Sequence, residues 1–258
     1  MNPADIARIV VGILGNIISG FMFLSPLPTF LDIWRKGTVE QYSAMPYLAT
    51  LVNCMVWTLY GLPMVHPNSL LVVTINGAGC VVELIYVIIF LIYSRRTKRL
   101  KVFLLLLVEI LFISSLTVLS LTLLHTVKKR SAVVGTICAL FNLMMYASPL
   151  TVMKMVITTK SVEYMPFFVS LGTFGNGVAW TTYALIRFDP FIAIPNGIGL
   201  LLSVAQLILY ATYYKSTKRQ IAERKLAAKG QVEPTLSEVV VLANPTLPNR
   251  RKISAVSH

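Results

Sequence analysis

Seven apolar stretches of about 20 to 25 residues, separated by polar breaks, restrict what this 258-residue chain can become. A helix rises about 1.5 Å per residue, so each stretch is long enough to cross a hydrocarbon core of about 30 Å. The spans fall at approximately 6–30, 42–63, 69–93, 101–124, 131–153, 166–186 and 191–214. With 56% hydrophobic and 13% charged residues the chain lacks the surface of a water-soluble enzyme. The first stretch begins almost at Met1, exceeds signal-peptide length and has no small-residue cleavage site, so it reads as a retained span. The expected class is an all-α, polytopic membrane protein.

A formal net charge of +13 raises the question of nucleic acid, but the basic residues lie almost entirely between the apolar stretches and no aromatic residues interleave with them. No nucleic-acid partner is expected. Seven spans put the termini on opposite sides. With the tail inside, 18 Lys and Arg fall on the inner side and five on the outer, so the positive-inside rule predicts an outer N-terminus and a cytoplasmic tail. That tail, from Lys215, has no sustained apolar face and reads as disordered; its basic cluster near the membrane could attract anionic lipid. Cys54, Cys80 and Cys138 all fall within spans at no metal-binding spacing, and neither a disulfide, a metal nor a cofactor is expected.

An internal repeat organises the spans. MFLSP at 22–26 returns as MYASP at 145–149, and NCMVWTLYG at 53–61 as NGVAWTTYA at 176–184, both at an offset of 123. TVEQYSAMP at 38–46 returns in shorter form as SVEYMP at 161–166. Ile75, Asn76 and Gly77 match Pro195, Asn196 and Gly197 at 120. Each repeat holds three spans, and the unmatched fourth restores the membrane direction, so the repeats are parallel about an axis near the membrane normal. The predicted divisions are a three-helix repeat at 1–95, a linker helix at 96–127, a second repeat at 128–214 and the tail at 215–258. Duplicated polar side chains then face one another across a central path.

The pairs at matching depth are Asn76 with Asn196, Asn53 with Asn176, and Trp57 with Trp180. Each Trp follows its Asn by four residues, so both project from one helix face. An amide offers two donors and an acceptor without introducing charge, which suits vicinal hydroxyls, while an indole covers an apolar C–H face. For a single membrane Asn, a hydrogen bond between helices is the ordinary explanation, and for a membrane Trp it is an interfacial belt. Duplication in register favours a shared site.

These residues resemble the SWEET family of sugar uniporters. The resemblance is carried by PLPTF at 26–30, VEQYSAMPY at 39–47, WTLYGLP at 57–63 and TINGAG at 74–79, with MYASPL, VEYMPF and IPNGIG in the second half, and it extends to about residue 214. The details look most like plant members of the hexose-transporting branches. The resemblance implies that Met22 and Met145 stand where side-chain size separates hexose from sucrose carriers. It further implies that Pro26, Pro46, Pro149 and Pro166 form an inner-gate tetrad, and that Tyr60 and Asp189 form a hydrogen-bonded outer gate. As a proline removes a backbone donor and obstructs the carbonyl four residues earlier, each of the four is expected to permit a bend. Asp189-Pro190 also reads simply as a helix start.

The expected function is bidirectional, facilitated diffusion of sugars by alternating access, with hexoses such as glucose favoured. Glu83, two turns from Asn76 on nearly the same face, is the one residue that could couple protons; Ser203 replaces it in the other repeat, and a local hydrogen bond or a protonated state is the expectation for it. Glu109 has no repeat partner. Alternatives are a carrier of another small polar solute such as an amino acid, and a proton-coupled carrier. A seven-helix receptor would lack the duplication, and His66, His125 and His258 are too scattered for an enzyme. The resemblance implies possible homo-oligomers. The plasma membrane is the expected location, with a vacuolar or other endomembrane as the alternative.

Overall fold

The computed structural model describes residues 2–39 and 42–243, the last fifteen as backbone alone. These form α1 (Pro3–Leu24), α2 (Leu27–Lys36), α3 (Met45–Gly61), α4 (Leu70–Tyr93), α5 (Arg96–Leu123), α6 (Val127–Met145), α7 (Ala147–Thr159), α8 (Phe167–Ile186) and α9 (Pro190–Ala243). Nine helices make seven spans, because α1 with α2 and α6 with α7 are each one span interrupted beside a proline. Pro26 cannot donate to the Met22 carbonyl four residues back; the Ser25 hydroxyl and amide reach that oxygen instead, at 2.7 and 3.1 Å. In the second half the break falls two residues earlier in the repeat, where the Tyr146 amide turns to Leu143 O at 3.1 Å, three residues ahead of Pro149.

Five stretches are long and apolar enough to cross a membrane by length and composition: Pro3–Lys36, Leu70–Tyr93, Arg96–Leu123, Val127–Thr159 and Pro190–Ala228. The remaining two spans are α3, of 17 residues, and α8, diluted by Thr173, Asn176 and Thr181. These are the helices that carry the duplicated Asn and Trp residues.

The helices close into a ring in which α1 packs on α4 and α8, α3 on α4 and α6, and α9 on α6 and α8. Exchanging α1 with α6, α3 with α8 and α4 with α9 maps the ring onto itself, as parallel repeats about a central axis require. The linker α5 lies outside, against α3, α4 and α6. Its exposed Leu104, Leu107, Leu111 and Leu119 form an apolar outer surface suited to lipid. Small residues allow the closest approaches. A Cβ on Gly177 would stand 3.1 Å from the Leu200 Cα, and one on Gly15 would stand 3.1 Å from the Trp180 ring.

The core is distributed unevenly. At the end bearing Tyr60, one cluster draws on both halves, joining Val56, Trp57, Tyr60 and Val72 to Val134, Trp180, Tyr183 and Ile192. At the proline end there are two clusters instead, one around Phe30, Leu48, Tyr86 and Phe90 in the first half, the other around Val156, Val162 and Met165 in the second. The halves are therefore joined at one end and parted at the other.

Two expectations change. Pro46 is in the first turn of α3 and Pro166 is the N-cap of α8, so neither bends a helix from within; their missing N–H groups fall where a helix has free donors anyway. The chain after 214 is helical through Ala243 where disorder was expected, and residues 244–258 lie outside the described residues. The extension has partners that the sequence pattern did not reveal. Thr217 Oγ1 accepts from the Val162 amide at 2.8 Å, Gln220 donates to the terminal carbonyls of α7 at 3.2 and 3.3 Å, and Arg224 pairs with Glu163 at 2.5 Å.

Candidate functional site

Between the halves lies a cavity of about 590 Å³, within the range of small-molecule sites. Asn53, Trp57 and Asn76 line it from α3 and α4, Asn176, Trp180 and Asn196 from α8 and α9, and Met22 and Met145 from the ends of α1 and α6. Pro26, Pro46, Pro149 and Pro166 also line it, at its open end, where Pro46 and Pro166 are exposed. Tyr60 and Asp189 do not line the cavity but lie above it, almost wholly buried.

The central amides are set by helix geometry. Asn76 donates one N–H to Val72 O at 2.9 Å, and Asn196 one to Ile192 O at 2.8 Å, each to the carbonyl four residues back. Anchored in the same way, each retains a second N–H and its oxygen for a ligand. The indoles are matched too. Trp57 meets Tyr60 edge-on at 5.6 Å between centroids, and Trp180 meets Tyr183 edge-on at 5.3 Å.

The other amide pair breaks this symmetry. Ser19 on α1 donates to Asn176 Oδ1 at 2.5 Å while accepting from Trp180 Nε1 at 3.2 Å. On the opposite side the equivalent residue is Asn142, which lines the cavity and makes no side-chain hydrogen bond among the described residues, where Asn53 Oδ1 is also buried without a partner. Sequence reasoning missed Ser19 and Asn142. The signal was available, since the offset of 123 that relates Met22 to Met145 also relates Ser19 to Asn142, three residues earlier.

Glu83 lines the cavity at 3% exposure, and its Oε2 has no partner, so the expected local hydrogen bond does not reach that oxygen. Ser203 opposite donates back to Gly199 O at 2.8 Å. Glu109 is on α5, outside the ring and away from the cavity lining. Among the described residues there is no group of three or more potential metal ligands.

The closed end is a compact polar cluster under an apolar cover. Tyr60 donates its hydroxyl to the Asp189 carboxylate, 2.9 Å from one oxygen and 3.0 Å from the other. The same carboxylate accepts from the Phe191 and Ile192 amides at 3.0 and 3.3 Å, which caps α9. Asp189 therefore starts a helix and bonds across the halves at once. His66, in the loop between α3 and α4, brings Nε2 to 3.3 Å from Asp189 Oδ2. Burial pushes the His66 imidazole below its ordinary value, against the pull of Asp189 and with a further push from Arg8.

A family profile described as "Sugar efflux transporter for intercellular exchange" matches residues 9–98 and 132–218, once on each half. The chain is 55% identical over 241 residues to the bidirectional sugar transporter SWEET4 of Oryza sativa subsp. indica, covering 93% of this chain and 92% of that protein. It is 58% identical over 222 residues to the bidirectional sugar transporter SWEET7 of Arabidopsis thaliana, covering 86% of each. A solved structure of a eukaryotic SWEET transporter superposes with a TM-score of 0.80 at 38% identity, over 83% of this chain and 100% of that one.

Proposed function

The chain belongs to the SWEET family of sugar transporters, and from that premise we propose that it carries hexoses such as glucose in both directions across a membrane by alternating access. The observation that carries this reading is the pair Asn76 and Asn196, two uncharged amides anchored alike in the walls of one cavity between two homologous halves. Trp57 and Trp180 supply apolar faces for the ring of a sugar, and Asn53 and Asn176 supply further hydrogen-bonding groups. Met22 and Met145 line the cavity from the ends of α1 and α6, where a bulky side chain favours a monosaccharide over a disaccharide.

The bonded Tyr60–Asp189 pair serves as the outer gate, and the parted proline end as the inner gate in its open state. Sugar entering from outside requires that this bond break while the four prolines draw together, Pro26 and Pro149 at the breaks in their spans and Pro46 and Pro166 at the starts of α3 and α8. Nothing in such a cycle adds free energy, so net flux follows the sugar gradient. The charge distribution supports a cytoplasmic proline end, the plasma membrane is the proposed location, and assembly with further copies of the chain is part of the proposal.

Proteoliposomes containing the purified protein should take up labelled glucose to equilibrium and no further, with fructose and sucrose as comparison sugars. Uptake of none of the three would overturn the reading, and uptake of sucrose alone would overturn the hexose preference. Proton-coupled carriage through Glu83 is the second reading, supported by its partnerless oxygen in the cavity wall. Its signature would be accumulation above equilibrium under a proton gradient, lost in Glu83→Gln.

A further inference from the structure

The segment His66-Pro67-Asn68-Ser69 lies in a short loop between two spans, yet three elements hold it in place. Its backbone turns on itself through Val65 and His66 amides bonded to Leu62 O at 2.9 and 2.8 Å. Arg8 of α1 donates to Asn68 O at 2.9 Å, Arg130 of α6 to Met64 O at 3.1 Å, and Ser131 of α6 to Val65 O at 2.6 Å. Asn68 takes a left-handed backbone with φ of 63°, a conformation in which asparagine is enriched. So many constraints on an eight-residue connection fix the direction of the imidazole.

That ring touches every part of the closed end. It lies flat against the Tyr60 ring, with centroids 4.7 Å apart and planes 16° apart. Nδ1 is 3.1 Å from Ser131 Oγ, and Nε2 is 3.3 Å from Asp189 Oδ2. Nε2 thus makes a close electrostatic contact with the carboxylate, while Nδ1 pairs with the Ser131 hydroxyl, which itself donates to Val65 O at 2.6 Å. The Asp189 oxygens differ in what holds them. Two α9 amides hold Oδ1 from its own half, Tyr60 reaches both oxygens from the other half, and His66 approaches Oδ2 alone.

We propose that His66 is the third member of the latch, a positioning residue that keeps Tyr60 and the Asp189 carboxylate aligned when the halves meet. This rests on the transport reading for its functional meaning and on the distances above for its geometry. Tyr60 supplies the crossing hydrogen bonds; His66 limits the rotation of the Tyr60 ring by stacking on it and adds a polar contact to Asp189. Losing the stacked ring and its polar contact should move the balance between shut and open latch by about fivefold toward open.

The test compares the wild type with His66→Ala and His66→Gln in proteoliposomes, measuring sugar entry from each side separately. His66→Ala should lower the KM for sugar presented at the latch side and raise the KM at the proline side, each about threefold to fivefold. His66→Gln should recover part of the difference, because its side-chain amide places a polar group beside Asp189 but no ring against Tyr60. His66→Ala combined with Asp189→Asn should shift no further than Asp189→Asn alone. A fall in kcat with both KM values unchanged, or an additive double variant, would overturn the proposal.

A second measurement needs no sugar. In a protein lacking Cys54, Cys80 and Cys138, Val72→Cys lies beneath the latch in the cavity wall. A membrane-impermeant maleimide supplied from the latch side should label it about fivefold faster in the His66→Ala background. Equal labelling rates would sink the third-member role even if no sugar were carried. Absence of sugar flux with faster labelling would sink only the transport reading.

Discussion

Tyr60 and Tyr183 occupy equivalent places in the two halves, yet only Tyr60 meets an acid. Across from Tyr60 is Asp189; the residue equivalent to Asp189 is Ser69, and Tyr183 instead has the Arg8 guanidinium 4.1 Å over its ring. Lower down, Asn176 is tied to Ser19 and through it to Trp180, while Asn53 and Asn142 remain open. Asn76 and Asn196, by contrast, keep the same bond in both halves. The two halves thus share the central pair of amides and differ in the surrounding pairs, one side fixed and the other open. A ligand without twofold symmetry benefits from such a site, because the two walls offer it different sets of free donors and acceptors.

Packing gives the most forceful way to break this comparison. Gly177 and Cys54 are equivalent, but they make the close approach from opposite sides: Gly177 leaves room for Leu200 on α9, whereas Cys54 Sγ fills the space beside Gly79 on α4. Gly177→Leu should destabilise the protein by about 3 kcal/mol through overpacking, while Cys54→Ala should cost about 1 kcal/mol. Thermal unfolding in detergent would read both, and equal losses would show that α3–α4 and α8–α9 pack alike after all.

Next come the amides that match. Asn76→Ala and Asn196→Ala should each lower kcat/KM for glucose by about 2 kcal/mol, roughly 30-fold, and by similar amounts. A large inequality would mean that the sugar leans on one half.

The divergent amides should respond with opposite signs. Asn53→Leu removes a buried oxygen that has no partner, so it should raise thermal stability by about 1 kcal/mol while slowing transport. Asn176→Leu strands the Ser19 hydroxyl and should lower stability by about the same amount.

The smallest effect concerns pH on the latch side. Burial is the main cause that lowers the His66 pKa in the shut latch, and opening relieves it. The proton therefore binds more tightly to the open form, and shut-latch stability is lost as pH falls through the ordinary histidine value of about 6.5. Arg8 on α1, Tyr60 on α3 and Asp189 ahead of α9 are the groups that set this balance. Acidifying the latch side should lower the KM for sugar there up to about twofold in the wild type and leave His66→Gln unchanged.

Much of this was legible from spacing. Apolar run length located all seven spans, and the offsets of 123 and 120 paired Asn76 with Asn196 and Trp57 with Trp180 in the wall of one cavity. What escaped was information held in three dimensions. Ser19 looked like an ordinary small residue of a span until its contact with Asn176 appeared, and Asn142 stood just outside the matched block. His66 was set aside because it is isolated in sequence; its partners come from three separate elements. The helix beyond residue 214 has no apolar stripe, because it is held by capping of α7 and by Thr217, Gln220 and Arg224 rather than by burial.

That last helix has a mechanical consequence. Asp189 caps one end of α9, Asn196 projects into the cavity less than two turns on, and the extension is tied to the loop ahead of α8 through Val162 and Glu163. Residues 190–228 alone form a rod of about 58 Å, with one soft joint where Pro195 withholds its bond from the Phe191 carbonyl. A tilt of the whole helix that frees the capped end would swing the far end the opposite way, with the fulcrum beside Asn196, and the joint at Pro195 sets how much of that stroke is passed on.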